Sequence, residues 1–285
     1  MGSALVQALA DHGSRVTVWN RTAAKAELLV RRGARRAATP GDAVRASPIV
    51  IVCVTNYEQT LASLAGTELA ERTLVQLSTG SPKDARLAEA WARERGAEYL
   101  DGAILATPRQ IGTPESAILV SGSERAFEAS RELLAHMAAT VSYLGNRVGA
   151  ASAFDLAFLS MLFGALAGFY HAITIVESER LSLSELAGLI ETSAPAMAQM
   201  MRHDASTVAS GAFENPEATL DICHQALALI ERSARESGLD ASVPSFLERL
   251  FAAGQLAGLG AESPAALVKL LRSRAASSDR VSTLV

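Results

Sequence analysis

The chain has 285 residues, of which 49% are hydrophobic and 20% charged, and its formal net charge is −4. This length is enough for one large domain or two ordinary ones with a sizeable core. The balance of acidic and basic residues argues against a nucleic-acid-binding protein, which usually presents a basic face. The two cysteines, Cys53 and Cys223, fit no metal-ligand or redox spacing. Because no signal-peptide pattern is present either, we expect a reduced, cytoplasmic protein.

Predicted helices and strands alternate through the first half of the chain. A short amphipathic helix comes first and ends at Gly13, and a second ends at Gly33. Continuous apolar runs of strand length are typical of strands that are buried on both faces of a parallel sheet. The alternation predicts an α/β fold with a mostly parallel sheet. The predicted strands span residues 15–19, 47–55, 73–79, 97–105 and 115–122.

Every predicted element after Leu181 is a helix. A long apolar segment at 148–180 precedes them, and its length would suffice to span a membrane. Asp155 lies near one edge of this segment and His171 interrupts it, so we expect a long interdomain helix that is buried in a dimer, and no membrane contact. The chain therefore divides near residue 146 into an α/β domain, 1–146, and an all-helical domain, 147–285.

The N-terminal stretch is similar to the second half of a dinucleotide-binding unit. In such a unit the glycines of G-x-G-x-x-G join the first strand to the first helix and approach the pyrophosphate. Only the last of these glycines has a counterpart here, Gly2. We therefore expect the first strand and two glycines to be missing. The alternative is an ordinary initiator methionine followed by a small residue.

The end of the first predicted strand indicates the cofactor. An NAD-binding fold places an acidic residue there, whereas NADP needs a cation for its 2′-phosphate. The strand is followed by neutral Asn20, by Arg21 with its planar cationic fork, and by Thr22 as a hydroxyl and helix cap. Lys25 adds a second cation one turn later. These residues favour NADP, and the alternative is a capped helix with solvated charges.

Ligands of open α/β sheets bind at the carboxyl ends of the strands. Residues that follow the next predicted strands are therefore expected at the cofactor or the pocket wall. The expected cofactor contacts are Val54, Thr55, Asn56, Ser78 and Thr79, and Thr107 and Pro108 are expected to continue the pocket wall.

Four residues of the helical half are further candidates for the substrate pocket: Phe163, Met197, Asp221 and His224. Met197 fits an apolar pocket, although methionines more often fill a core. His224 and Asp221 are three residues apart on one helix face, so they can pair, bind a metal or line the pocket. Because a metal site needs further ligands, we expect no metal.

Four stretches of the sequence resemble the imine reductase family, whose members are related to the β-hydroxyacid dehydrogenases. The most specific stretch reads DGAILATPRQIGTP, and no general structural motif accounts for it. The resemblance implies a Rossmann-type domain, like that of 6-phosphogluconate dehydrogenase, that binds NADPH for the reduction of C=N bonds. It also implies a homodimer in which the long helix packs into the partner's helical domain. The four stretches span residues 1–27, 99–123, 149–159 and 221–244.

The resemblance also implies a catalytic residue. Hydroxyacid dehydrogenases carry a catalytic lysine six residues after a glycine that corresponds to Gly149, and this chain has Asp155 there. No lysine occurs between Lys83 and Lys269. The Asp subtype of imine reductases is the match, in which Asp155 either donates a proton or stabilises an iminium ion as a carboxylate. The alternative is an aspartate that caps the helix.

Two positions depart from the relatives that couple free ketones with amines. Those relatives have an Asn near LSTGSP and a Tyr two turns after the aspartate, where this chain has Thr79 and Phe163. We therefore expect reduction of cyclic imines with weak reductive amination. The alternatives are a hydroxyacid dehydrogenase-like reductase of unknown substrate and, if the first strand is truly missing, a non-catalytic NADP-binding or scaffold protein.

Overall fold

The computed structural model describes residues 1–273, which fall into two compact units. The first is Met1–Met161, and the second begins at Leu162. The first unit has the predicted α/β architecture. Its helices are α1 (Gly2–Asp11), α2 (Ala24–Arg31), α3 (Pro40–Arg45), α4 (Tyr57–Leu64), α5 (Pro82–Arg93) and α6 (Glu124–Met137). Its strands are β1 (Thr17–Val18), β2 (Arg35–Arg36), β3 (Ile49–Val52), β4 (Thr73–Gln76), β5 (Glu98–Leu105), β6 (Ala117–Gly122) and β7 (Thr140–Tyr143).

The main sheet has five strands in the order β3-β4-β5-β6-β7. Its pairs are parallel except β5 with β6, which is antiparallel, so the prediction of a mostly parallel sheet is confirmed. β1 and β2 form a separate parallel pair that is not hydrogen-bonded to β3. Among residues 1–273 the first element is α1, and it begins at Gly2, the counterpart of the last glycine of the fingerprint.

Apolar side chains cover both faces of the sheet, as the continuous hydrophobic runs predict. One core cluster packs α1 and α6 onto it through Leu5, Leu100 and Leu134. The other packs α4 and α5 through Leu64, Leu74 and Ala88. Between these two layers the strands end at a common edge, where Cys53 and Leu77 follow β3 and β4.

The second unit consists of helices joined by short connections, with no strand among its described residues. A helix of 29 residues, α7 (Ala150–Ser178), begins in the first unit and continues into the second. Its first turns contain buried residues, whereas its apolar remainder is largely exposed in the single chain. Among the described residues α7 is the one helix long and apolar enough to cross a membrane by length and composition. The other helices are α8 (Leu183–Ser210), α9 (Leu220–Glu236) and α10 (Ser242–Leu256), with a short 3-10 helix at Pro264–Ala266.

Candidate active site

A cavity of about 160 Å³ opens at the edge of the sheet where β3 and β4 end. The residues after these two strands form one wall, and β5 contributes Ala103 and Ile104. The N-terminal end of α1 reaches the same place through Met1. The structure therefore brings Asp155 together with three of the predicted cofactor residues, Val54, Ser78 and Thr79.

Asp155 lies on this cavity and is 6% exposed. It is the sixth residue of α7, and the first turn of that helix contains no acidic residue. The alternative interpretation of Asp155 as a helix cap is therefore wrong. Burial raises the pKa of its carboxyl, and the nearby charge of Asp101 raises that pKa further. A carboxyl group in this setting holds a proton more readily than a solvated one.

The buried neighbours of Asp155 were not found by the sequence analysis. Asp101 of β5 is fully buried and accepts hydrogen bonds from the Tyr57 hydroxyl and from the Ser152 hydroxyl at 3.0 Å. The Ser152 backbone N–H donates to the same carboxylate at 3.2 Å. The one available signal was an aspartate within an otherwise apolar strand, because a buried charge requires partners.

The predicted cofactor residues after β3 and β4 are tied to each other. The backbone N–H of Val54 donates to the Ser78 hydroxyl at 3.0 Å, and Ser78 donates to Gln76 at 3.2 Å. Asn56 caps α4 by accepting the N–H of Gln59 at 2.9 Å. Ser78 is buried, so its hydroxyl fixes the loop, whereas Thr79 and the adjoining Thr55 are exposed.

The residues predicted to select NADP lie together after β1. Asn20, Arg21, Thr22 and Lys25 are all exposed. The cap prediction for Thr22 is wrong, because α2 begins at Ala24 and its cap, Ala23, already has helical backbone angles. Thr22 contributes its carbonyl instead, which accepts from the Lys25 N–H at 3.0 Å and from the Asn20 amide at 2.8 Å.

These features fit an NADP-type dinucleotide. The exposed cations after β1 suit a 2′-phosphate, and no acidic residue follows that strand before Glu27. Gly2 is the first residue of α1, whose N-terminal end lies against Cys53 at the carboxyl end of β3. A helix start at this edge is where a dinucleotide pyrophosphate binds. Arg21, Lys25 and the start of α1 would therefore hold its phosphates.

The predicted pocket residues outside this cavity belong to two different parts of the chain. Thr107 and Pro108 lie in an exposed loop after β5, where Thr107 bonds to Gln110. In the second unit Phe163 and Met197 are exposed, at 63% and 43%. His224 pairs with Glu248 at 2.9 Å.

His224 and Asp221, for which pairing was one of three alternatives, each have a different hydrogen-bond partner in the structure. Asp221 accepts a hydrogen bond from Gln255 at 2.6 Å, so it does not pair with His224. Within residues 1–273, no group of three or more potential metal-ligating side chains lies together. The role of His224 in a substrate pocket stays a prediction.

Comparisons with known proteins agree with this geometry. Residues 1–145 match the NAD-binding domain of 6-phosphogluconate dehydrogenase, and residues 148–273 match the C-terminal domain of NADPH-dependent reductive aminase-like proteins. An NADPH-dependent reductive aminase of Aspergillus oryzae is 30% identical over 95% of this chain and 94% of its own length. The chain belongs to the NADPH-dependent reductive aminase and imine reductase family.

Solved structures of this family have the same fold. A reductive aminase from Aspergillus terreus, in complex with NADPH and ethyl levulinate, is 35% identical with a TM-score of 0.90, over 95% of each chain. An imine reductase from Myxococcus stipitatus, in complex with NADP+, is 35% identical with a TM-score of 0.88, over 95% of this chain and 96% of its own. The resemblance stated from sequence is confirmed, and the chain is an NADPH-dependent oxidoreductase that acts on C=N bonds.

The boundary between the two halves of the chain differs between the family models and the compact units. The division at residue 146 stays a prediction: the family models change between residues 145 and 148, whereas the compact units change after Met161. The two alternatives to a C=N reductase, a hydroxyacid dehydrogenase-like enzyme and a non-catalytic scaffold, are disfavoured by the family membership.

Proposed function

We propose that this imine reductase reduces cyclic imines and iminium ions to amines, with Asp155 as the catalytic residue. The observation that carries the proposal is the buried carboxyl of Asp155 on the cavity at the carboxyl edge of the sheet. NADPH, when bound, supplies the hydride. Among the residues described, Asp155 is the one ionisable group of α7 that lines this cavity.

The charge of Asp155 suits the nitrogen of a C=N bond. Hydride adds to an iminium carbon far more readily than to a neutral imine, so the site must create or retain positive charge on nitrogen. A protonated Asp155 donates that proton, and an ionised Asp155 stabilises an iminium ion that was protonated in water. The raised pKa of its carboxyl, caused first by burial, favours the proton donor.

The absence of lysine supports imine chemistry over oxidation of hydroxy acids. Alcohol oxidation needs a group that removes the hydroxyl proton as the hydride leaves. The segment from 84 to 268 contains no lysine to do this. The test is NADPH oxidation with a panel of cyclic imines, compared with NADP+ reduction by β-hydroxy acids. Turnover with the imines alone supports the proposal, and turnover with the hydroxy acids alone contradicts it.

We also propose that coupling of free ketones with amines is weak. Thr79 lines the cavity and cannot supply an amide, and Phe163 has no hydroxyl to donate. The missing hydrogen bonds lead us to expect a kcat/KM at least about tenfold lower for a ketone–amine pair than for the matching preformed cyclic imine. Equal efficiency at near-stoichiometric amine would contradict this part of the proposal.

We propose, finally, that the working form is a homodimer. Large apolar side chains stand exposed along α7 and α8 in the single chain, including Phe158, Met161 and Leu189. A helix that is apolar on all sides is stable in water only when other helices cover it. A second copy of the chain, in which the two long helices pack into each other's helical domains, provides that cover. Small-molecule imines are then the only other partners we propose.

A further inference from the structure

Asp101 lies beneath the start of α7 and is 0% exposed. Its carboxylate accepts hydrogen bonds from the Tyr57 hydroxyl, the Ser152 hydroxyl and the Ser152 backbone N–H. Three donors around one carboxylate stabilise its ionised form, which offsets part of the cost of burial. A carboxylate at the first turn of a helix also interacts favourably with the helix dipole.

The same contacts connect Asp101 to Asp155. Ser152 and Asp155 are three residues apart on α7 and therefore share one face of the helix. By holding Ser152 through both its backbone and its side chain, Asp101 fixes the rotation of α7 about its axis. That rotation determines whether Asp155 points towards the cavity.

We propose that Asp101 is a positioning residue for this reaction: its buried carboxylate fixes the first turn of α7 and sets the charge that Asp155 meets. The inference rests on the function proposed for Asp155. A purely structural role would need only the hydrogen bonds to Ser152 and Tyr57. The proposed role needs the negative charge as well, so the two are separable by experiment.

The effect of Asp101 on the pKa of Asp155 has a definite direction. The charge of Asp101 adds to burial in raising the pKa of Asp155. Burial also raises the pKa of Asp101 itself, while the hydrogen bonds from Tyr57 and Ser152 oppose that rise. Removing the charge of Asp101 therefore lowers the pKa of Asp155. The other titratable groups around the pair are Tyr57 of α4, Tyr99 of β5 and Cys53 after β3. Beyond them, Glu89 of α5 acts on Tyr99, and the amino group of Met1 acts on Cys53.

The test compares Asp101→Asn with the wild-type enzyme. Asparagine keeps the shape and an acceptor oxygen for Ser152 but carries no charge. We expect the pH at which Asp155 titrates to move down, whether Asp155 acts as a proton donor or as an ionised stabiliser. The first measurement is the pH profile of kcat with a cyclic imine. The limb that is lost in Asp155→Asn belongs to Asp155, and the midpoint of that limb shows the shift. Carboxyl ¹³C NMR, with the Asp155 signal assigned from Asp155→Asn, reports it without any turnover.

Asp42→Asn is the matched control. Asp42 also lies at the start of a helix, α3, where its carboxylate accepts from Thr39, but it is only partly buried and is 113 positions from Asp155 in the sequence. This variant should leave the Asp155 midpoint unchanged. Tyr57→Phe is the second variant, for the case that Asp101→Asn does not fold. It removes one donor from Asp101, which then holds a proton to higher pH, so the Asp155 midpoint should again move down.

A folded Asp101→Asn whose Asp155 midpoint is unchanged or higher would overturn the inference. If that variant does not fold, an unchanged or higher midpoint in Tyr57→Phe would do so. Failure of the proposed function has a different signature: the wild-type enzyme would turn over no imine, while the NMR titration would still respond to Asp101→Asn.

Discussion

At the scale of single residues, the carboxyl proposed for catalysis, that of Asp155, is also a group whose burial costs stability. A carboxyl buried to the extent of Asp155 is disfavoured as an ion, and the neighbouring Asp101 increases that cost. Such like-charged, buried carboxyls are typical of active sites, where stability is exchanged for a tuned proton affinity. Arg21 is the candidate for cofactor selection, because its exposed guanidinium suits the 2′-phosphate that distinguishes NADPH from NADH.

Replacing Arg21 by Glu should change the cofactor preference. A charge-assisted hydrogen bond to the 2′-phosphate is lost and a repulsive charge replaces it, so kcat/KM for NADPH should fall at least about tenfold. The value for NADH should change much less, since NADH has no 2′-phosphate. Arg31→Glu, at the last residue of α2, is the control and should affect both cofactors equally. An unchanged NADPH to NADH ratio in Arg21→Glu would exclude a role for Arg21.

At the scale of elements, the loop after β4 and the start of α4 are packed with no space between them. A Cβ atom added to Gly80 would strike the ring of Tyr57. That ring is buried and its hydroxyl is bonded to Asp101, so it cannot move aside. Gly80, in the loop that carries Ser78 and Thr79, must therefore be a glycine, because the Tyr57 ring leaves no room for a side chain there. Tyr57 in turn donates a hydrogen bond to Asp101.

The variant Gly80→Ala should destabilise the fold by about 1–3 kcal/mol, the usual cost of overpacking a tight contact. Thermal denaturation measures this, and NADPH affinity should fall with it because the loop moves. Gly66→Ala is the control, since a Cβ at that position meets nothing within 4 Å. If both variants melt at the wild-type temperature, the contact with Tyr57 is not tight.

The elements differ in how far the sequence predicts them. The long apolar run at 148–180 predicts α7 to within two residues at each end, because its pattern is local. Strands of two polar residues, such as β2, carry no periodic signal. The Asp101 group joins residues 44 and 51 positions apart in sequence, so only the folded chain reveals it. Thr22 resembled a helix cap, but the turn before α2 is already helical and uses its carbonyl.

At the scale of the whole molecule, exposed apolar surface is the main feature that the single chain leaves uncovered. Among the residues described, large exposed hydrophobic side chains are concentrated on α7, α8 and α9. In the residues before α7 such side chains are fewer and scattered, for example Leu87 of α5 at 56% exposure. This contrast supports association through the helical half, with the apolar length of α7 covered by a second copy of the chain.

Leu189→Glu should weaken the proposed dimer. The wild-type protein is expected at twice the chain mass of 29.9 kDa in light scattering without detergent. Each copy would lose a buried leucine, so the dimer dissociation constant should rise about 100-fold or more. Leu87→Glu, at a comparably exposed leucine, should leave the mass unchanged. A monomeric wild type, or a protein that stays in solution only with detergent, would contradict the dimer.

The most direct test of the central claim is single-turnover reduction of a cyclic imine by Asp155→Asn. Asparagine preserves size and polarity but can neither donate an acidic proton nor carry a negative charge. The account predicts a loss in the hydride-transfer rate of at least about 100-fold, within the range for general acid–base catalysis, with NADPH affinity unchanged. A variant that binds NADPH normally and reduces the imine at close to the wild-type rate would show that Asp155 is not the catalytic residue.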